Sequence, residues 1–231
     1  MIDRLIALDQ QILLAVNGWN SPFADVFMWI VSSTVVWIPF FGVLLWAILK
    51  NKQREGLLAI LMIILVILAC DQIASSVFKP IFERLRPTHD PFTGPLVHIV
   101  NDYRGGKFGF VSSHAANTFG FALFTSLLLR DKFYTATAFT FALLSSYSRM
   151  YLGVHFLGDI LGGIVVGVAC ASLFYALYRY LQQYVFRFRI TFLNPSFSAS
   201  GYARQDIQKV VWTFGVTLVF IALISLRIKN I

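Results

Sequence analysis

The chain has 231 residues, of which 58% are hydrophobic and only 13% are charged, and its mean hydropathy is +0.71. A soluble domain carries about 25% charged residues, so the composition excludes a water-soluble protein, and it excludes disorder because disordered chains are poor in apolar residues. The formal net charge of +8 is compatible with nucleic acid, but in so apolar a chain it favours anionic lipid headgroups; we expect membrane lipids and no nucleic acid as partners.

The first predicted element is an amphipathic helix at residues 1–20. Apolar residues recur there at Leu5, Leu8, Ile12 and Val16, with charged and amide side chains between them. This spacing places the apolar residues on one helical face. We expect the helix to lie along the membrane interface, ahead of the first span.

Uncharged windows locate the spans that follow, because a charged side chain at mid-bilayer costs roughly 2.5–3.5 kcal/mol. Six such windows occur, and only the second is interrupted, by Asp71. They cover residues 26–49, 57–78, 108–129, 133–148, 160–178 and 210–226. The sequence therefore predicts an all-α polytopic membrane bundle with about six transmembrane helices.

A polar, turn-rich stretch at residues 185–209 separates the last window from the other five. The chain is therefore expected to divide into three parts. These are the interfacial helix at 1–20, a main membrane domain at 21–183, and a connector with an extra C-terminal span at 184–231.

Six spans place the 79–107 and 149–159 segments on one side of the membrane and the 50–56, 130–132 and 179–209 segments on the other. The second side carries ten Lys and Arg residues. The first side carries nine, but three of them, Lys79, Arg86 and Arg149, belong to the candidate site described next. The positive-inside rule therefore predicts that the first side faces outward.

Three polar clusters lie on this outward side, at residues 79–87, 111–114 and 148–159. Polar groups at the ends of apolar helices are costly and therefore point to function. Lys79, Arg86 and Arg149 supply three cations, and such charges suit a phosphoryl group, whose negative charge spreads over several oxygens. The first cluster alone is equally compatible with ordinary basic residues that touch lipid headgroups.

The second cluster, Ser112, Ser113 and His114, stands where the window that runs to residue 129 becomes helical. A helix start presents free N–H groups and the positive end of a dipole, which favours a bound phosphate. A serine there can also simply cap the helix. The two interpretations are compatible, and both remain open.

His155 and Asp159 are four residues apart, so on a helix their side chains can touch. A carboxylate on one imidazole nitrogen orients the other nitrogen as a nucleophile. A single histidine at a helix end is usually just a satisfied polar residue. Two histidines, a carboxylate and three cations on one side instead favour catalysis.

A metal site is the main rival interpretation of these histidines and carboxylates. The three cations would repel a divalent ion, and no third ligand with a recognisable spacing accompanies His155 and Asp159. We therefore expect no metal and no cofactor. The remaining acidic and histidine residues of the stretch 88–107 are scattered, as is typical of a loop that contacts headgroups; they are His89, Asp90, His98 and Asp102.

Together the clusters resemble the type 2 phosphatidic acid phosphatase (PAP2) family. Its pattern is a lysine, six residues and Arg-Pro; then Pro-Ser-Gly-His; then Ser-Arg, five residues, His, three residues and Asp. The matching residues are Lys79, Arg86, Pro87, Ser112, His114, Ser148, Arg149, His155 and Asp159. Val111 and Ser113 replace the family proline and glycine, and the resemblance covers roughly residues 20–180.

The resemblance implies residue roles. His155 would attack phosphorus to give a phosphohistidine, Asp159 would orient it, and His114 would protonate the leaving oxygen and later activate water. Phosphate would be bound by the remaining polar residues of the three clusters: Lys79, Arg86, Ser112, Ser113 and Arg149. The 21–183 domain would then be the catalytic one.

The resemblance also implies an integral membrane, metal-independent phosphatase that acts on a lipid phosphate or diphosphate. Similar bacterial members act on undecaprenyl diphosphate, lipid A phosphates, phosphatidylglycerophosphate or phosphatidate. An active site that faces the periplasm or exterior of a bacterial inner membrane fits undecaprenyl diphosphate first and lipid A next. The alternatives are a non-catalytic protein that binds or transports lipid phosphates, and a phosphatase for soluble sugar phosphates.

Overall fold

The computed structural model describes residues 2–185 and 195–228, and within them the regular elements are helices; the two isolated antiparallel bridges form no sheet. The predicted all-α bundle is therefore confirmed. Part of the predicted connector at 185–209 lies outside the described residues. The helices are α1 Ile2–Gly18, α2 Pro22–Ser32, α3 Ile38–Asn51, α4 Gln53–Gln72, α5 Lys79–Phe82, α6 Ser113–Leu129, α7 Lys132–Tyr151, α8 Leu157–Tyr180 and α9 Arg204–Arg227.

Three helical rods are long and apolar enough to cross a membrane. They are Gln53–Phe82, in which a π-helical turn joins α4 to α5, then Leu157–Tyr184, and α9. The pair α2 and α3 makes a fourth if it counts as one bent span. With 17 residues, α6 is shorter than these rods and largely buried among its neighbours. The six-span count stays a prediction.

Two of the predicted windows differ from single straight helices. Window 26–49 forms two helical rods, Pro22–Ser32 and Val35–Asn51, that meet at 69°, because the first helix ends at Ser32 and the backbone becomes extended at Ser33, with ψ of 130°. In window 108–129 the helix begins only at Ser113. The first residues of this window pair instead with the extended segment at residues 84–86, since the N–H of Gly109 donates to the carbonyl of Arg84 at 2.8 Å.

Helices α6 and α8 pack closely because α8 presents glycines to α6. A Cβ on Gly163 would lie 2.5 Å from the carbonyl oxygen of Ser112, and one on Gly167 would lie 2.5 Å from that of Ala116. Glycines four residues apart are a common device for close helix contact in membranes. This contact brings the start of α6 to the start of α8, where the Ser112 N–H donates to the Asp159 carbonyl at 2.9 Å.

We expect Gly167→Ala to destabilise the bundle by about 1–3 kcal/mol, because the new methyl group would overlap the backbone of α6. Gly215→Ala is the matched control, since a Cβ there meets nothing within 4 Å and alanine favours a helix. Thermal melting in detergent measures both variants. Equal melting temperatures for the two would contradict the tight α6–α8 contact.

The last helix, α9, packs on the same core as the helices before it. Phe214 stacks on Trp37 with ring centroids 5.4 Å apart. At one end of the bundle, Asp206 accepts from Lys50 at 2.9 Å and Asp131 from Arg204 at 3.2 Å. The three polar clusters gather at the opposite end, as the assignment of segments to two sides requires.

Candidate functional site

A short antiparallel pairing between residues 84–86 and 107–109 forms one wall of the site. The N–H of Arg86 donates to the Lys107 carbonyl at 3.0 Å. Glu83, with φ of 43°, ends α5 in the left-handed conformation and turns the chain into this extended segment. In extended chain, residues two apart face the same side, so Arg84 and Arg86 both face the bundle.

Lys79 and Ser113 meet at the start of α6. The Nζ of Lys79 donates to the Oγ of Ser113 at 2.9 Å and to the Oγ of Ser75 at 3.3 Å. Ser112 is the helix cap, since its Oγ accepts from the N–H of Ala115 at 3.4 Å. The two serines are therefore placed differently: Ser112 caps α6, and Ser113 lies beside a cation.

Arg86 is only 9% exposed. Its Nε donates to the carbonyl of Phe108 at 3.2 Å and its Nη1 to that of Val154 at 3.4 Å. Gly105, with φ of +67°, crosses the guanidinium so closely that a Cβ would lie 2.8 Å from Nη1. Burial, and then the charge of Arg149, lower the pKa of Arg86, as expected for a buried cation with a second cation nearby.

Arg149 is 3% exposed and incompletely paired. It donates to the Oγ of Ser32 through Nη1 and to the hydroxyl of Tyr103 at 3.0 Å through Nη2. Its Nε is buried with no hydrogen-bond partner among the described residues. Burial raises the pKa of Tyr103, but the charge and hydrogen bond of Arg149 outweigh it and lower that pKa overall.

His155 and Asp159 form a buried pair, with exposed fractions of 1% and 0%. The Nδ1 of His155 lies 3.3 Å from the Oδ2 of Asp159, which also accepts from the N–H of Phe156 at 3.0 Å. A carboxylate at Nδ1 selects the tautomer with its proton there and leaves the Nε2 lone pair available. Burial, and then the charges of Arg86 and Arg149, lower the pKa of His155, so the imidazole is neutral at pH 7.

His114, in the first turn of α6, lies within electrostatic range of Arg149, His155, Arg86 and Lys79. The structure thus brings together the six positions that carry most of the sequence-based hypothesis. We call Lys79, Arg86 and Arg149 the cationic cradle; His114, His155 and Asp159 lie beside it.

His114 also opens onto an apolar cavity of about 500 Å³. The cavity runs between α3, α4 and α6, past Phe41, Leu44 and Ile64. Leu45 and Ile64 line it and are also partly exposed on the outer face of the bundle. The bend between α2 and α3 contributes the polar residues Ser32, Ser33 and Thr34 to the cavity wall. The wall therefore combines these polar side chains and His114 with the apolar side chains of α3 and α4.

Several residues at the site were not predicted. Arg84 forms ion pairs with both Asp159 and Asp9. Ser32 and Tyr103 accept hydrogen bonds from Arg149. Arg84 had a usable signal, because it lies two residues before Arg86 in the same cluster. The others come from distant segments whose proximity only the fold reveals.

The polar side chains of the loop at 88–107 bind other parts of the loop and the helix α2. His98 pairs with Asp25 at 3.0 Å, and Asp90 accepts from the N–H of Thr93 at 2.7 Å. Within residues 2–185 and 195–228, no three His, Cys, Asp or Glu side chains are placed to share a metal ion.

The sequence model of the PAP2 superfamily matches residues 60–183. Two relatives are named lipid A 4'-phosphatase. The one from Porphyromonas gingivalis is 38% identical over 183 residues, which is 79% of this chain and 78% of the relative. The one from Bacteroides thetaiotaomicron is 40% identical over 178 residues, covering 76% and 79%.

Two solved structures are also similar. A transmembrane phosphatidylglycerolphosphate phosphatase from Bacillus subtilis gives a TM-score of 0.58 at 25% identity, covering 80% of this chain and 90% of that one. LpxE from Aquifex aeolicus gives 0.53 at 25% identity, covering 71% and 92%. Both comparisons extend over most of the bundle.

Proposed function

Because the chain belongs to the PAP2 superfamily and is a membrane lipid phosphatase, we propose that it removes a phosphate group from lipid A through a phosphohistidine at His155. The single observation that carries the catalytic assignment is the buried His155–Asp159 pair beside the cationic cradle. A neutral imidazole with a free Nε2 is what an in-line attack on phosphorus requires. Three cations supply the charge that the transition state needs.

The proposed reaction has two steps. The Nε2 lone pair of His155 attacks phosphorus, and the bond between phosphorus and the lipid oxygen breaks. His114, which holds a proton once the bound phosphate offsets the nearby cations, gives that proton to the lipid oxygen. His114 then takes a proton from water, whose oxygen attacks phosphorus and breaks the N–P bond. The products are the lipid alcohol and inorganic phosphate, and both histidines return to their initial states.

In both steps the cradle and the start of α6 hold the phosphoryl oxygens. The unpaired Nε of Arg149 supports this role, because a buried donor without a partner costs about 1–3 kcal/mol unless a ligand supplies an acceptor. Ser113, whose Oγ accepts a hydrogen bond from Lys79, adds a hydroxyl next to the free N–H groups at the start of α6. Ser112 contributes by capping and positioning that helix start.

A lipid substrate is supported by the cavity that begins at His114. Its volume of about 500 Å³ lies within the usual range of ligand sites. Its deep walls are aliphatic and aromatic, so a hydrocarbon chain can occupy it while the phosphate stays in the cradle. A soluble sugar phosphate would leave this apolar surface unused.

Lipid A is favoured over undecaprenyl diphosphate by two observations. Both relatives compared above carry lipid A in their names, and neither supports the sequence-based preference for undecaprenyl diphosphate. In addition, Asn117 lines the cavity one turn after His114, and its Oδ1 is buried without a partner in the described part of the chain. An acylated amino sugar offers hydroxyl and amide donors near its phosphate, whereas an isoprenoid chain offers none.

The charge asymmetry of the loops supports one orientation in the membrane. We propose that the site faces the periplasm from a bacterial inner membrane, with α1 along the outer interface and α9 as an additional span. Periplasmic turnover of lipid A in cells, lost when export of lipid A to that side is blocked, would support this orientation. Unchanged dephosphorylation under the block would contradict it.

The substrate assignment is tested by initial rates in matched detergent micelles with a chelator present. We expect kcat/KM for lipid A to exceed that for undecaprenyl diphosphate, phosphatidylglycerophosphate and phosphatidate by roughly tenfold or more. Mass spectrometry of the product should show loss of the 4'-phosphate. Faster turnover of undecaprenyl diphosphate would reverse the assignment.

Two other outcomes discriminate between function classes. Binding of all four lipids without phosphate release would favour a non-catalytic lipid-phosphate protein. Preferential turnover of a sugar phosphate over every lipid would favour a soluble substrate.

A further inference from the structure

A chain of ion pairs links the amphipathic helix α1 to the buried carboxylate of Asp159. The Nη2 of Arg84 lies 2.6 Å from the Oδ2 of Asp9, and its Nη1 lies 3.0 Å from the Oδ1 of Asp159. The other oxygen of Asp9 accepts from the N–H of Gly158 at 3.0 Å. Asp9 therefore holds both the arginine and the backbone beside Asp159.

Each oxygen of Asp159 thus has its own set of partners. Oδ2 faces His155 and the N–H of Phe156, while Oδ1 faces Arg84. The guanidinium of Arg84 also lies over the ring of Phe156, 4.5 Å from its centroid. Since a carboxylate can rotate about its terminal bond, pairing both oxygens fixes the plane in which it meets the imidazole.

Apolar contacts hold α1 where Asp9 can reach Arg84 and Gly158. Leu13 is fully buried in a cluster with Phe156 and Ile160 at the start of α8. Leu5 and Leu8, by contrast, are 61% and 51% exposed on another part of the helix. One face of α1 therefore packs against the segment that carries the catalytic pair, so a shift of α1 would move Asp9 and Gly158 together.

We infer that Asp9 and Arg84 are positioning residues that fix the orientation of Asp159, and through it the direction of the His155 Nε2. This inference rests on the proposed role of His155 and adds the N-terminal helix to the catalytic machinery. In this assignment both side chains act through Asp159 and neither contacts the phosphate. Their loss should therefore lower kcat and leave KM nearly unchanged, because misdirection of a nucleophile costs rate rather than binding.

The experiment compares Asp9→Asn, Arg84→Gln and the double variant of the full-length protein. We expect each single variant to lower kcat roughly 10- to 100-fold while KM changes less than about twofold. The double variant should be no worse than the poorer single one, because both remove the same link. Arg84→Lys, which keeps the charge but cannot fork between two carboxylates, should recover part of the rate.

Arg4→Gln is the matched control, because Arg4 is an exposed cation on the same helix and its loss should leave kcat unchanged. A purely structural ion pair would lower the melting temperature and the active fraction without lowering kcat per active site. Unchanged kcat in both single variants, or multiplicative losses in the double variant, would overturn the inference.

Hydrogen exchange separates this inference from the substrate assignment. The amide protons of Phe156 and Gly158 are bonded to Asp159 and Asp9, so Asp9→Asn should speed exchange in the peptide that covers residues 155–160. If wild type releases no phosphate from any lipid, the proposed function fails and this exchange still tests the link. Unchanged exchange would overturn the link whatever the substrate.

Discussion

Replacing His155 with alanine is expected to lower kcat on every lipid phosphate by about 10⁴-fold or more, since removing a covalent nucleophile leaves only positioning and electrostatics. Binding should persist, because the cationic cradle and the cavity are untouched. Phosphate release in detergent, with chelator present, measures the first effect. Competition by the inactive variant for a labelled lipid measures the second.

His89→Ala is the control for this variant. His89 is an exposed histidine at the same end of the bundle, and its Nε2 lies 3.3 Å from the Gly105 carbonyl oxygen. Quenching in cold alkaline detergent, in which the N–P bond of phosphohistidine survives, adds a direct observation with ³²P-labelled lipid: wild type should retain label on protein, and His155→Ala should retain none. Rapid turnover by His155→Ala, or label on another residue, would refute the phosphohistidine.

The pH dependence of kcat/KM is an independent test of the role of His155. Burial and the neighbouring arginines lower the pKa of His155, so its neutral, nucleophilic form survives to a pH below the usual imidazole pKa of about 6.5. Protonation at still lower pH removes the lone pair. The acidic limb of kcat/KM, which reports the free enzyme, should therefore lie below pH 6.5 when His155 sets it.

The sequence predicts which residues form the candidate site better than it predicts the contacts between them. Lys79, Arg149 and His155 were recognisable because charged and titratable groups at the ends of apolar helices are costly and therefore rare. Their convergence could be expected from the parity of the spans, since segments joined by an even number of crossings return to one side. The structure places them together at one end of the bundle.

The missing parts depend on backbone geometry that an uncharged window does not reveal. Phe108 and Gly109 are as free of charge as the helix that follows them, yet they pair with residues 84–86 and so direct Arg84 toward Asp159. The bend at Ser33 similarly leaves Ser32 beside Arg149. Hydropathy measures the cost of burying a residue and contains no information on which polar partner it meets.

The second large effect is expected at Arg149, where Arg149→Lys should lower kcat/KM by roughly 100-fold. A lysine keeps the positive charge but lacks both the fork that reaches Ser32 and Tyr103 and the unpaired Nε that we assign to the phosphate. The half-buried Tyr103 would also lose the donor to its hydroxyl, so part of the loss comes from disorder in the loop at 88–107.

Arg104→Lys is the control, because Arg104 is an exposed arginine of that same loop. Its kcat/KM should stay within about twofold of wild type, as is usual for surface substitutions. Inhibition by vanadate, a mimic of phosphoryl transfer, should weaken in parallel with kcat/KM in Arg149→Lys, because both depend on the same donors. If Arg149→Lys retained wild-type kcat/KM and vanadate affinity, charge alone would suffice at this position, and the geometric role assigned to its guanidinium would be wrong.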